Sequence, residues 1–299
     1  MRVFMTGASG WIGSAAVDEL LGAGYKVDGL ARSDAAAASL EAKNVTVIRG
    51  DLGDLDVLRR GAREADAVVH LANSHDRENP AAANAMERTA TETLAEALVG
   101  TDRPFVLASV FGGVAQGGSP STESDPSPFV GLDSPRGGSE NLALEYAQRG
   151  VRTIVARFAP TVHGVGDHMF MALIAAAARR HGLSAYVGDG STAWSAVHIS
   201  DAARLVRLGL ERAPAGSRLH AVAEEAIPTR AIAEAVGRAL GVPVGSVAPE
   251  NAIEHFGFVG SILGRNQIAS STVTRELLGW TPSGPGLLED LASPGYFTV

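Results

Sequence analysis

The first twenty-four residues constrain this chain more than any other stretch. "RVFMTG" is a short apolar run ending on a glycine, which predicts a buried strand. "GASGWIGSAAVDELLGAG" follows, with Gly7, Gly10 and Gly13 spaced G-x-x-G-x-x-G. Leu20 and Leu21 then continue a helical face to Gly22 and Gly24. A strand, a glycine turn and a helix make a nucleotide site. The glycines let the backbone approach a pyrophosphate, and the helix start offers it unpaired N–H groups and a partial positive charge. Ser9, Trp11 and Ile12 lie in the same turn and join the three glycines as candidate cofactor contacts.

The pattern repeats down the chain. "YKVDGLARS", "NVTVIRGD", "DAVVHLAN", "RPFVLAS" and "VRTIVARFAP" read as strands, separated by "LDVLRRGAR", "AANAMERTATETLAEALVG" and "GGSENLALEYAQRG" as helices. Such alternation of apolar, β-branched strands with helices predicts an α/β fold with a doubly wound parallel sheet. Ligands in such sheets lie at the C-terminal strand ends, which carry Gly7, Arg32, Asp51, Asn73, Ser109 and Pro160. A site selective for NAD wants an acid after the second strand to take the ribose hydroxyls. Here stand Ala31, Arg32 and Ser33. The Arg32 guanidinium and the Ser33 hydroxyl suit a 2′-phosphate, so the expected cofactor is NADP(H).

Composition narrows the chemistry. The chain has no cysteine, which removes disulfides and thiolate catalysis. Its net charge is -8 with acids scattered, and it shows no basic face for nucleic acid. No apolar run approaches the roughly 18 residues that span a bilayer, and "MRVFMTGASG" reaches glycine too soon for a signal peptide. The expectation is a cytoplasmic protein without nucleic-acid or membrane partners, acting on a small molecule. No G-x-S-x-G or H-E-x-x-H occurs, and His163 with His168 lacks the further ligands of a metal site. Lysine occurs only at positions 26 and 43.

From "TGASGWIG" through "RGDLGD", "VVHLAN", "VLASVFG", "ARFAPTVHG" and "GDGSTAWSAVHISDAARL" to "TRELLGWTP", the chain resembles an extended or atypical member of the short-chain dehydrogenase/reductase superfamily, the NAD-dependent epimerase/dehydratase group. The resemblance implies a Rossmann-type domain over residues 1–160. Residues 161–299 would complete the sheet and form a smaller substrate-binding lobe. It also implies that Asp51 and Leu52 touch the adenine, that Leu71, Ala72 and Asn73 line the ribose, and that Pro160 and Val162 flank the nicotinamide. Ser109 takes the place of the family's active-site serine, and such proteins often dimerise through helices on the sheet. The family's Y-x-x-x-K is missing. Its tyrosine falls on Arg136 and its lysine on Glu140, and no lysine follows Lys43 to rescue the pair. Tyr146 sits two turns into the helix as a packed aromatic.

Arg136 and Glu140 are spaced i, i+4, so they either pair with each other or leave Arg136 to orient substrate. An arginine cannot donate the proton. Ser109, Arg136 and His168 are therefore the catalytic candidates, and the proton is left to His163, His168, a serine or water. His75, Phe111, His163, Met169, Phe170 and Trp194 are the pocket candidates, bulky and mostly apolar. His198 and Asp201 fall on a position that is chiefly structural in the family, and Ser139 is a possible helix cap. The Gly/Ser/Pro-rich stretch 112–135 is long enough to be a lid or disordered. These features favour an NADPH-dependent reductase of a small apolar carbonyl, imine or activated alkene. A catalytically silent NADP(H)-binding sensor is the alternative, and a sugar-nucleotide epimerase or dehydratase comes third.

Overall fold

Phe4 lies on one face of the first strand, and Val3 and Met5 on the other; all three are fully buried. A strand with apolar residues on both faces must be covered on both, and the computed structural model shows this. It describes residues 1–74, 76, 78–111 and 118–297. Seven parallel strands form the main sheet: β1 Arg2–Thr6, β2 Lys26–Ala31, β3 Thr46–Arg49, β4 Ala67–His70, β5 Pro104–Val110, β6 Arg152–Phe158 and, from later in the chain, β10 Ser217–Ala221. Their order is β10-β6-β5-β4-β1-β2-β3, the doubly wound sheet that the alternation predicts. Helices α1 Trp11–Gly22, α2 Asp34–Glu41 and α7 Ile199–Arg212 cover one face. Helices α3 Leu55–Glu64, α4 Pro80–Glu96 and α5 Ser139–Glu145 cover the other. A Cβ on Gly61 of α3 would lie 2.7 Å from the Phe4 ring, so glycine there lets helix and sheet close up.

The remaining strands, β7 Thr161–His163, β8 Ser184–Val187, β9 Ala193–His198, β11 Glu224–Pro228 and β12 Val244–Val247, form two small sheets, β11-β9-β7 and β12-β8. With α6 Phe170–His181, α8 Thr229–Leu240 and the short helices α9 Ala252–Phe256, α10 Gly260–Leu263 and α12 Leu287–Leu291 they enclose a second core. Another short helix, α11 Thr272–Leu278, packs back on α7 and β10. Trp194 is at the heart of the second core. It is fully buried, edge-on to Phe170, with its indole N–H donated to the Arg265 carbonyl. That corrects its reading as a pocket wall: a large ring on an inward-facing strand position fills the lobe.

Of the Gly/Ser/Pro-rich stretch 112–135, residues 112–117 lie outside the described residues, and the part from Ser121 to Phe129 is more ordered than its composition suggests. Ser121 forms a parallel bridge with Ala269, and the buried Glu123 accepts from both the amide and hydroxyl of Thr274 at 2.7 Å. Asn141 donates to the carbonyls of Ser127 and Phe129. Residues 121–129 are thus tied to α11 and α5 by hydrogen bonds that sequence spacing does not reveal. Among the described residues, no helix is long and apolar enough to cross a membrane.

Candidate functional site

The turn from β1 into α1 is built to receive an anion. Gly7 adopts φ +71°, and a Cβ there would lie 2.6 Å from the Ala72 amide. A Cβ on Gly13 would lie 1.9 Å from the Gly7 carbonyl oxygen. The N-cap of α1 is Gly10, with no side chain capping the helix and no acid in its first turn. The first-turn amides, which have no acceptor within the helix, therefore remain available beside the exposed Ser9 and Gly10. Trp11 and Ile12 are half-buried, and the Trp11 indole donates to the Val162 carbonyl at 2.8 Å. That bond ties the glycine turn to the strand after Pro160.

At the end of β2, Arg32 is exposed and has no hydrogen-bond or ion-pair partner among the described residues. Ser33 caps α2, its Oγ accepting from the Ala36 amide, which leaves its own hydrogen free to donate. Arg49, paired with β2 in register at Ala31, donates to the Ser33 carbonyl and to Asp34. Asp51 accepts from the Gly53 amide, and Leu52 is buried. Leu71 and Ala72 follow β4, with their amides turned to Thr6. These residues fit a dinucleotide laid across the strand ends.

The sheet then places four polar side chains around one small pocket: Glu87 of α4, Ser109 of β5, Arg136 of the turn before α5, and Glu140 of α5, with Phe129 and Ser139 beside them. Their pairing differs from the i, i+4 reading. Arg136 does not reach Glu140. Its Nε and Nη2 both go to Glu87 Oε1, at 2.7 and 2.5 Å. Glu87 Oε2 accepts from Asn73 Nδ2. The reason is local backbone: Arg136, Gly137 and Gly138 are all left-handed, at φ 57°, 60° and 65°. That reversal turns the Arg136 side chain away from the helix that follows it. Asn84 accepts the Arg136 amide, Arg88 donates to the Gly137 carbonyl, and a Cβ on Gly137 would sit 2.4 Å from the Asn84 oxygen. Ser139 does not cap α5, since its hydroxyl bonds back to the Arg136 carbonyl.

Glu140 has other partners. Arg157 of β6, fully buried, reaches its two oxygens at 3.1 and 2.5 Å, and Arg218 of β10 adds a bond at 3.0 Å. Ser109 donates its hydroxyl to Glu140 at 2.6 Å. Register explains the cluster, because Arg157 is the direct neighbour of Ser109 on β5 and of His220 on β10. Burial pushes the Glu140 carboxyl up, but Arg157, Ser109 and Arg218 outweigh it and hold the group below its ordinary range. For Glu87 the balance is reversed: burial dominates and raises it despite Arg136 and Asn73. His70, at the end of β4, bonds Thr6 at 2.6 Å, and burial with the nearby Arg136 charge lowers it to about 3.

The other candidates fall in different surroundings. His163 is fully buried and bonded to Asp290 at 2.7 Å, and burial lowers its pKa. Phe111 is core, edge-on to His220. His168 is exposed and edge-on to Trp11. Met169 is the N-cap of α6, with its amide donated to Asp167. Asp201 accepts from Arg204 and from the Ser283 and Gly284 amides, a structural anchor. Tyr146 is buried and donates to Glu96. His75 lies outside the described residues. Among those described, no group of three or more potential metal ligands forms. Glu87, Arg157 and Arg218 were not singled out from sequence; no local spacing distinguishes them from the other charged residues of α4, β6 and β10.

The family model "NAD dependent epimerase/dehydratase family" matches residues 3–222. An uncharacterized protein of Schizosaccharomyces pombe is 44% identical over 297 residues, covering 99% of this chain and all of the relative. A 4-hydroxy-2-methyl-3-oxo-4-farnesyl-3,4-dihydroquinoline-1-oxide ketoreductase of Stigmatella aurantiaca is 27% identical over 72% of this chain and 66% of its own length. Among solved structures, a double mutant of the dTDP-glucose 4,6-dehydratase DesIV of Streptomyces venezuelae, with NAD and DAU bound, superposes with a TM-score of 0.77. Its identity is 26%, over 98% of this chain and 95% of that one.

Proposed function

Because the chain belongs to the NAD-dependent epimerase/dehydratase family, we propose that it is an NADPH-dependent oxidoreductase that reduces a small, mostly apolar carbonyl, imine or activated alkene. One observation carries the choice of cofactor. Arg32 is exposed and, among the described residues, unpartnered at the end of β2, where NAD selection would want an acid. A 2′-phosphate meets its guanidinium fork and the free hydrogen of Ser33. The ketoreductase named above supports reduction as the direction of chemistry.

The chain's own residues divide the work. The glycine turn and the start of α1 hold the pyrophosphate, and the Trp11–Val162 bond fixes the nicotinamide-side strand to that turn. The bound cofactor supplies the hydride. Ser109, its hydrogen committed to Glu140, presents oxygen lone pairs to the pocket. Arg136 holds Glu87 in the pocket wall.

Titrating NADPH and NADH against the tryptophan fluorescence tests the cofactor. NADPH should bind more tightly, and Arg32→Ala should erase the preference at a cost of about 1.5 to 3 kcal/mol. Equal affinity in the parent protein would overturn it. A screen of NADPH oxidation over ketones, cyclic imines and quinones tests the reaction. Tight cofactor binding with no turnover would favour the silent NADP(H) sensor instead.

A further inference from the structure

The end of β2 carries an acid as well as a base. Two residues after Arg32 comes Asp34, the first residue of α2, whose side chain is 95% exposed. A free carboxylate there would repel a 2′-phosphate and suit a ribose diol instead. It is not free. Arg49, the last residue of β3, donates from Nη2 to Asp34 Oδ1, and from Nη1 to the Ser33 carbonyl at 2.9 Å. Register places it there: β3 is the edge of the main sheet, and Arg49 pairs with Ala31, one residue before Arg32. Its side chain is half exposed, so a ligand lying across the strand ends can meet it from solvent.

We propose that Arg49 is a further determinant of cofactor choice, and that Asp34 holds the place of the 2′-phosphate on its guanidinium until NADPH binds. The inference rests on the NADPH reading above. Before binding, Arg49 cancels the Asp34 charge. On binding, Nη1 stays on the Ser33 carbonyl and Nη2 exchanges the carboxylate for a phosphate oxygen. The planar guanidinium fork makes both bonds at once. A phosphate monoester carries about −1.5 to −2 charge at pH 7, so it attracts the guanidinium more strongly than one carboxylate does. Asp34 returns to water at little cost, because an exposed ion pair contributes little. NADH has a hydroxyl in place of the phosphate and leaves the Arg49–Asp34 pair intact.

The neighbouring charges are committed elsewhere. Asp51 Oδ1 accepts from the Gly53 amide and Asp54 Oδ2 from the Asp51 amide, so both acids serve the turn after β3. Lys43 is held by Ser14 and Asp18 of α1. Lys26 stands at the opposite end of β2. Beside Ser33 that leaves Arg32, which no described residue pairs, and Arg49, whose exposed partner can be displaced.

The test titrates NADPH and NADH against the tryptophan fluorescence of the full chain. Arg49→Ala should weaken NADPH binding about tenfold, the loss of one charge-assisted bond, and change NADH binding by less than about twofold. Arg49→Lys keeps the charge but cannot bridge the Ser33 carbonyl and the phosphate, so it should recover only part of the loss. Asp34→Asn removes the competing carboxylate and should tighten NADPH about threefold, with NADH unchanged. An Arg49→Ala variant that weakens both cofactors alike, or neither, overturns the role of Arg49. Asp34→Asn that leaves NADPH binding unchanged or weaker overturns the exchange. In either case the NADPH reading stands if Arg32→Ala still erases the preference. Equal affinity of the parent protein for both cofactors overturns that reading and this inference together.

Discussion

At the scale of the residue, burial decides which groups can change charge. His70 and His220 are both buried and held neutral, their pKa values lowered to about 3 and about 4, first by desolvation. An unfolded histidine titrates near 6.5. Below that value the unfolded chain binds protons that the folded one refuses, so stability is fully present above about pH 6.5 and is lost as pH falls towards the folded values. Urea unfolding at stepped pH should show this loss. Replacing His70 with glutamine should flatten the slope between about pH 6.5 and 3, where the difference amounts to a few kcal/mol at about 1.4 kcal/mol per pKa unit. A slope unchanged in the variant would show that His70 is not what acid unfolds.

At the scale of the element, the turn 135–138 is the unusual part. A non-glycine residue in the left-handed region costs roughly 1–2 kcal/mol, and Arg136 sits there at φ 57°. The bonds from Asn84, Arg88 and Glu87 hold it, so α4 acts as the clamp on this turn. Gly137→Ala should be severe, because φ is +60° and the new methyl would meet the Asn84 carbonyl at 2.4 Å. The expected loss exceeds about 1 kcal/mol, read as a lower denaturation midpoint, together with a raised KM for substrate. Normal stability and kinetics in that variant would mean that the turn can shift freely.

At the scale of the whole molecule, residues 287–296 brace β7 and the turn after it. Asp290 of α12 holds His163 of β7, Tyr296 donates to Asp167, and Glu224 accepts the Leu287 amide. Burial raises the Asp167 carboxyl, and it raises the Tyr296 hydroxyl too, so the pair stays a hydrogen bond between groups slow to ionise. Asp290→Ala strips the buried His163 ring of the one side-chain hydrogen bond it makes among the described residues. It should cost about 1–3 kcal/mol in urea unfolding and raise KM more than it lowers kcat, since the strand next to Val162 loosens while the pocket at Ser109 is untouched. A fall confined to kcat would place His163 in the chemistry.

The sequence by itself determined the sheet and the glycine turn, because both follow from local order. Apolar strands in alternation with helices leave few ways to bury every face, and Gly7, Gly10 and Gly13 mark a turn within one short segment. It also located Ser109, Arg136 and Glu140 on one site through the resemblance. What it could not determine was who pairs with whom. The i, i+4 spacing offered Arg136 and Glu140 to each other, yet Arg136 went to Glu87, 49 residues away, and Glu140 to Arg157 and Arg218, 17 and 78 residues away. Three left-handed residues in succession overrode the helical spacing, and two of them are glycines that could as well have been a plain loop. The neighbours of Ser109 are set by strand register across β5, β6 and β10, and no local pattern encodes β10 as the edge of that sheet. Buried charge chooses its partner after the chain has closed around it, so the electrostatics of this pocket belong to the tertiary structure alone.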